Sequence, residues 1–144
     1  KIWRYRNQME DLLRETARIL ADKSQALGLA VTPDGNIVHS GYANLLEMPE
    51  FYDINLTRRV LQMIEERSVM DEIFEKSQSE NPVKVIFGQE LGNRELDPIG
   101  IMFVELEMPE HPCRFAVLGS TRFDYPYVLP MMKYFKGLIE SMID

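Results

Sequence analysis

Cys113 stands beside Arg114, and a guanidinium next to a thiol is one way to lower its pKa and create a nucleophile. Nucleophilic catalysis also needs a positioned base. The two histidines are His39, within "NIVHS", and His111, inside the proline-flanked run Pro109-Glu110-His111-Pro112. Two isolated histidines, without a set of further ligands at metal-ligand spacing, make a weak metal case. Glu105, Glu107 and Glu110 recur at nearly every second position, the pattern of a solvated strand face. "GQELGN" holds two glycines but not the glycine fingerprint opening a helix that cradles phosphate. The residues therefore predict a half-buried strand cysteine, with no catalytic, metal or cofactor site.

The densest run of polar chemistry is "GSTRFDYP", Gly119 to Pro126. Arg122 beside a helix start is one form of anion site. The structural alternative is simpler. Asp124 or Thr121 caps the helix, because a short oxygen-bearing side chain satisfies orphan N–H groups. Pro126 falls in the first turn, where its missing N–H is not needed. Arg122 then pairs with Asp124 or with a carboxylate elsewhere. The residues favour this second reading.

Composition bounds what these groups can serve. The chain has 144 residues, 45% hydrophobic and 27% charged, enough for one domain with a core. Formal net charge is −7, which argues against this segment wrapping a phosphate backbone. The close basic pairs Arg4/Arg6 and Arg58/Arg59 do not form a patch. One cysteine excludes an internal disulfide and suits a reducing compartment. No apolar run approaches the roughly 20 residues a membrane helix needs. The first residues, "KIWRYRNQMEDLLRE", lack the apolar core of a signal peptide. The chain starts at Lys1 rather than Met, as a fragment of a longer protein would.

The elements follow from periodicity. Met9, Leu12, Leu13, Thr16, Ala17 and Leu20 form one stripe of a helix expected from about Trp3 to Ala26, ending at Gly28. "LGLAV" and "NIVHS" flank Pro33-Asp34-Gly35 and predict a hairpin. "ANLLEMPEF" reads as a loop or short helix broken at Pro49. Leu56, Val60, Leu61, Ile64, Val69, Met70, Ile73 and Phe74 predict two short helices or one kinked helix. Strands follow over 83–87, 99–108 and 113–120, with "GQELGNRELDP" as loop. The last helix carries Val128, Met131, Met132, Phe135, Leu138, Ile139 and Met142 on one face. The nine methionines mostly fall in such stripes, where gap-filling is their ordinary role. Strands clustered without βα alternation predict an α+β fold with an antiparallel sheet, its terminal helices covering one face.

Four stretches resemble the heat-inducible transcription repressor HrcA family. "GSTRFDY" is similar to the family's Gly-Pro-Thr-Arg-Met-Asp-Tyr motif through Gly119, Thr121, Arg122, Asp124 and Tyr125. Ser120 stands in place of the usual proline and Phe123 in place of methionine. "GYANLLEMPEF" is similar to Gly-x-x-Asn-Leu-Leu-x-x-Pro-Glu-Phe through Gly41, Asn44, Leu45, Leu46, Pro49, Glu50 and Phe51. "VIFGQEL" resembles the family's strand exit through Gly88 and Glu90, and "MEDLLRETARILAD" its helix after the DNA-binding domain.

The resemblance implies a GAF-like regulatory domain over residues 1–144, with the motif residues serving structure or an interface. It implies repression of chaperone genes by a cytoplasmic dimer on an inverted-repeat operator. It also implies chaperonin as a partner and DNA contacts made by an upstream winged-helix domain absent from this chain. The family's dimerisation insert has no counterpart near residues 33–36, so a dimer would use exposed apolar residues of the first helix or Tyr125, Tyr127 and Tyr134. The alternative is a stand-alone sensor with a ligand pocket between sheet and helices; an enzyme is the remaining class.

Overall fold

The computed structural model describes residues 2–77, 79–108 and 112–143, with side chains described over residues 7–142 of these stretches. Arg4, Arg6, Glu110 and His111, as side chains, lie outside that set.

Helix α1 spans Ile2–Ser24. Met9, Leu13, Ala17, Leu20 and Ala21 are buried on one side, while Asp11, Arg14, Glu15 and Arg18 face water. Glu10–Arg14 and Glu15–Arg18 ion pairs, one turn apart, line the outer side. The helix stops short of the expected Ala26. Gln25 adopts a left-handed φ of 53°, and the chain enters strand β1 (Leu27–Val31). Gly28 is therefore inside the strand, not at the helix end.

β1 turns into β2 (Ile37–Ser40) through the anticipated Pro33-Asp34-Gly35 corner. Gly35 N–H donates to the Thr32 carbonyl at 2.8 Å and Thr32 N–H to Asn36 at 2.9 Å. Then follow α2 (Tyr42–Leu46), a 3₁₀ turn at Pro49–Tyr52, α3 (Ile54–Glu65) and α4 (Arg67–Glu75). The two-helix alternative for this region is the one observed. Asp53 caps α3, its carboxylate accepting from the N–H groups of Asn55 and Leu56. β3 is Lys84–Phe87, and the expected loop after it contains 3₁₀ turns at Gly88–Leu91 and Arg94–Leu96. β4 (Ile99–Leu106) and β5 (Cys113–Ser120) precede α5 (Tyr125–Ile143).

The five strands form one antiparallel sheet in the order β2-β1-β5-β4-β3. The fold is α+β, as the strand grouping requires. Both faces of the sheet are covered, which is why β4 and β5 read as nearly unbroken apolar runs. Met102, Val104, Leu106, Phe115 and Val117 pack with α1 and α5 residues. On the opposite face Ile101, Phe103, Ala116 and Leu118 pack with Phe51, Leu56, Val60 and Phe74.

Helix α5 departs from its expected single face. Val128, Met132 and Ile139 are buried, whereas Leu138 and Met142 turn outward with Tyr127 and Tyr134. Residues 128, 132 and 139 recur near the helical repeat; 138 and 142 lie on the adjacent, outward arc.

Candidate functional site

The stretches Gly41–Phe51 and Gly119–Tyr125 are far apart in sequence and meet at one end of the sheet. Glu50 and Arg122 make a two-pronged ion pair: Arg122 Nε donates to Glu50 Oε2 at 2.7 Å and Nη2 to Oε1 at 2.9 Å. Arg122 pairs here, not with Asp124. Its hydrogen bonds hold the Glu50 carboxyl below its ordinary range, with Ser120 adding to the effect, while the carboxylate raises Arg122 in turn. Ser120 Oγ also accepts from the Arg122 backbone N–H at 3.0 Å.

The start of α5 is held by the backbone. The Asp124 carbonyl accepts from the N–H groups of Tyr127 and Val128. Among the described residues, no side-chain hydrogen bond from Asp124 or Thr121 caps the helix. Thr121 contributes its main chain, its N–H donating to Pro98 and its carbonyl accepting from the Tyr125 hydroxyl at 2.8 Å. Burial raises the Tyr125 phenol, and the half-buried ring stands edge-on to Phe123. Phe123 lies over Gly100 and Gly119, which face each other across β4 and β5. The ring after Arg122 covers this bare patch.

The other stretch is anchored to α1. Asn44 Nδ2 donates to the carbonyls of Ala21, at 3.0 Å, and Ala26, at 2.9 Å, where α1 gives way to β1. Gly41 precedes α2 at φ 95°, a left-handed conformation that glycine adopts without a Cβ penalty, with Ala21 and Ala26 packed against it. Leu45 and Phe51 are buried, Met48 touches Gly119, and Leu46 is exposed. Pro49 opens the 3₁₀ turn that presents Glu50. Gly88 and Glu90 belong elsewhere, at the exit of β3. Glu90 accepts from Phe87 N–H at 2.7 Å, and a Cβ on Gly88 would fall 1.6 Å from the Leu96 carbonyl oxygen.

Sequence reasoning missed a second cluster. Arg114 is 5% exposed under α4, opposite Glu105 across the β4–β5 ladder. Its Nε donates to Glu105 at 2.8 Å, Nη1 lies 3.6 Å from Asp71, and the guanidinium covers the Phe74 ring at 5.1 Å. Glu105 also meets Lys84 at 3.7 Å. It is thus a half-buried ion-pair partner, not part of a solvated strand face; Glu107, past the strand end, is exposed. Only the position of Arg114 on an otherwise apolar strand hinted at this.

Arg114 does not activate Cys113. The thiol is fully buried, and desolvation pushes its pKa up to about 11, against the opposing pull of Arg114. Cys113 is therefore expected to resist a thiol reagent in the native protein at neutral pH and to react fully once unfolded. Rapid native labelling in a thiol-titration assay would contradict this. His39 is exposed and lies against Tyr42, 4.3 Å between ring centroids. Among the described residues, no group of three His, Cys, Asp or Glu side chains is placed to hold a metal ion. No described helix is long and apolar enough to cross a membrane.

The Glu50–Arg122 pair makes a pH-dependent prediction. A carboxyl with a depressed folded pKa stabilises the fold above its ordinary range and loses that contribution as pH falls through the folded value. Glu50→Gln and Arg122→Gln, alone and combined, should show favourable coupling at neutral pH that vanishes in acid and weakens with salt. Coupling unchanged at low pH in denaturant melts would remove the ion pair as its source.

Comparison with known proteins places this corner in a family. The profile described as HrcA protein C terminal domain matches residues 6–129. The heat-inducible transcription repressor HrcA of Sorangium cellulosum is 28% identical over 127 residues, covering 85% of this chain and 35% of that protein. The HrcA of Chlorobium chlorochromatii is 22% identical over 138 residues, covering 95% of this chain and 38% of that protein. The chain thus spans little more than a third of these relatives. A crystal structure of a hypothetical protein superposes with TM-score 0.69 at 12% identity, covering 92% of this chain and 69% of that one, which supports the fold alone. With the family profile matched over most of its length, the chain belongs to the HrcA C-terminal domain family.

Proposed function

We propose that this domain is the regulatory and assembly part of a cytoplasmic repressor of chaperone genes, working through binding equilibria rather than catalysis. The observation that carries this reading is mechanical. Asn44 ties the end of α1 to α2, and Glu50–Arg122 ties the turn after α2 to the start of α5. A displacement of α1 in this reading passes to α5 through these hydrogen bonds and the ion pair. In this reading α1 leads from an upstream DNA-binding domain, and α5 responds at the far end.

A formal charge of −7 suits a domain that leaves phosphate contacts to another part of the protein. Assembly as a homodimer matches the two-fold symmetry of an inverted-repeat operator. Chaperonin is the partner the family reading supplies, and binding to it would keep the repressor competent.

The test is genetic. Removing the gene from its source cells should raise chaperone transcripts at ordinary growth temperature and flatten their heat response. Unchanged basal transcripts with a normal heat response would reject the repressor reading.

A further inference from the structure

We propose that the outward face of α5 is a self-association seam, along which two copies of this chain pair antiparallel. The proposal rests on the homodimer reading above and assigns its interface. Tyr127, Tyr134, Leu138 and Met142 are 49%, 65%, 37% and 60% exposed. At about 100° per residue, these four lie on one arc with Pro130, Met131, Gly137 and Ser141. That arc, about 140° wide by the same geometry, carries no charge. Lys133, Lys136 and Glu140 all fall on its polar flank. Tyr125, another aromatic of this region, is excluded from the seam because its hydroxyl is committed to Thr121.

Gly137 is the second observation. It sits inside the helix, where glycine costs roughly 0.5–1 kcal/mol relative to alanine. A Cβ there would meet nothing within 4 Å, so packing in this chain does not require the glycine. A bare backbone on an apolar face suits close approach by another helix.

Self-pairing is favoured because the face complements itself. Place a two-fold axis beside Lys136 with the helices antiparallel. Tyr134 then falls over Gly137 of the second copy, a ring over a bare backbone, and Met131 falls near Ser141 and Met142. In the same register Lys133 approaches Glu140 of the second copy, a carboxylate that Lys136 of its own chain also holds at 2.7 Å, twice by symmetry. A partner of strong charge would find nothing in the seam to match it. The family profile ends at residue 129, so most of this seam lies beyond the matched region.

The test uses the whole 144-residue chain in sedimentation over a range of concentrations. The native chain should dimerise, and Tyr134→Glu should be monomeric with an unchanged circular-dichroism spectrum and melting curve. Glu140→Lys should weaken dimerisation about tenfold or more, and Lys133→Glu with Glu140→Lys should restore it. Because Cys113 is buried, a single added thiol is diagnostic. Gly137→Cys should cross-link to its copy on mild oxidation, whereas Asp11→Cys on α1 should not. A dimer that survives Tyr134→Glu and does not cross-link at residue 137 overturns the seam while leaving a dimeric repressor intact. A chain that stays monomeric at every concentration overturns self-pairing, whatever the transcript experiment says about repression.

Discussion

Gly28→Ala is expected to cost about 3 kcal/mol or more, lowering the melting temperature by about 6–12 °C at roughly 2–4 °C per kcal/mol for a chain near this size. The Cβ it adds would stand 2.0 Å from the Ala17 carbonyl oxygen, 3.0 Å from the Ala17 carbonyl carbon and 3.1 Å from the Ala21 nitrogen. These are backbone atoms of α1, so no rotamer change relieves the overlap. The helix must lift from β1, and with it Leu13, Ala17 and Leu20 from the core. The effect should reach Asn44, whose two acceptors are the Ala21 and Ala26 carbonyls. Gly92→Ala is the control. That glycine has φ 76° but no neighbour within 4 Å, so only local backbone strain, of order 1 kcal/mol, should appear. Thermal melts of the two variants decide the matter; equal losses would mean that α1 does not press on β1 as described.

Arg114→Met should be the second large loss, about 3 kcal/mol in denaturant unfolding. Removing Arg114 leaves Asp71 without this partner and Glu105 with Lys84 alone, at 3.7 Å, and the penalty of breaking a buried ion pair exceeds the worth of the intact pair. Glu105 and Asp71 would each keep a carboxylate whose side chain is only 34% exposed, and Phe74 would lose the guanidinium over its ring. Met retains most of the Arg114 stem volume, so the effect reports charge rather than a cavity. The discriminating variant is Arg114→Met with Glu105→Leu, which should recover a large part of the loss because one stranded charge is gone. If the single variant loses less than about 1 kcal/mol, the cluster is well hydrated and the burial argument fails.

Where the chain alternates between helix-period stripes and β-branched runs, the residues alone settled the outcome. The hairpin at Pro33-Asp34-Gly35, the helical state after Ile54 (though not its division into two helices) and the strands from Ile99 and Cys113 needed no tertiary information. Turn chemistry and apolar spacing act within a few residues. The same locality explains the misplaced end of α1. Gly28 resembles a helix stop, but its role is to let a helix backbone approach a strand that forms only when the sheet assembles. Glu105 was misread for a related reason. Alternation reports which residues share a face, not whether that face meets water or a buried arginine on the neighbouring strand.

The candidate site divides the same way. The residues at 41–51 and 119–125 were identifiable as motifs because their types and spacing match a family pattern. That Glu50, not Asp124, receives Arg122 depends on a contact 72 residues apart in the chain. Asn44 likewise looks like an ordinary helix residue until the end of α1 is placed beside it. The sequence by itself determined the α+β class and excluded an internal disulfide, since these depend on period and residue count, and its motifs pointed to the family by resemblance. Tertiary structure alone decided the partner of Arg122, the burial of Arg114 and the two-sided character of α5, because each depends on distances between elements that only packing brings together.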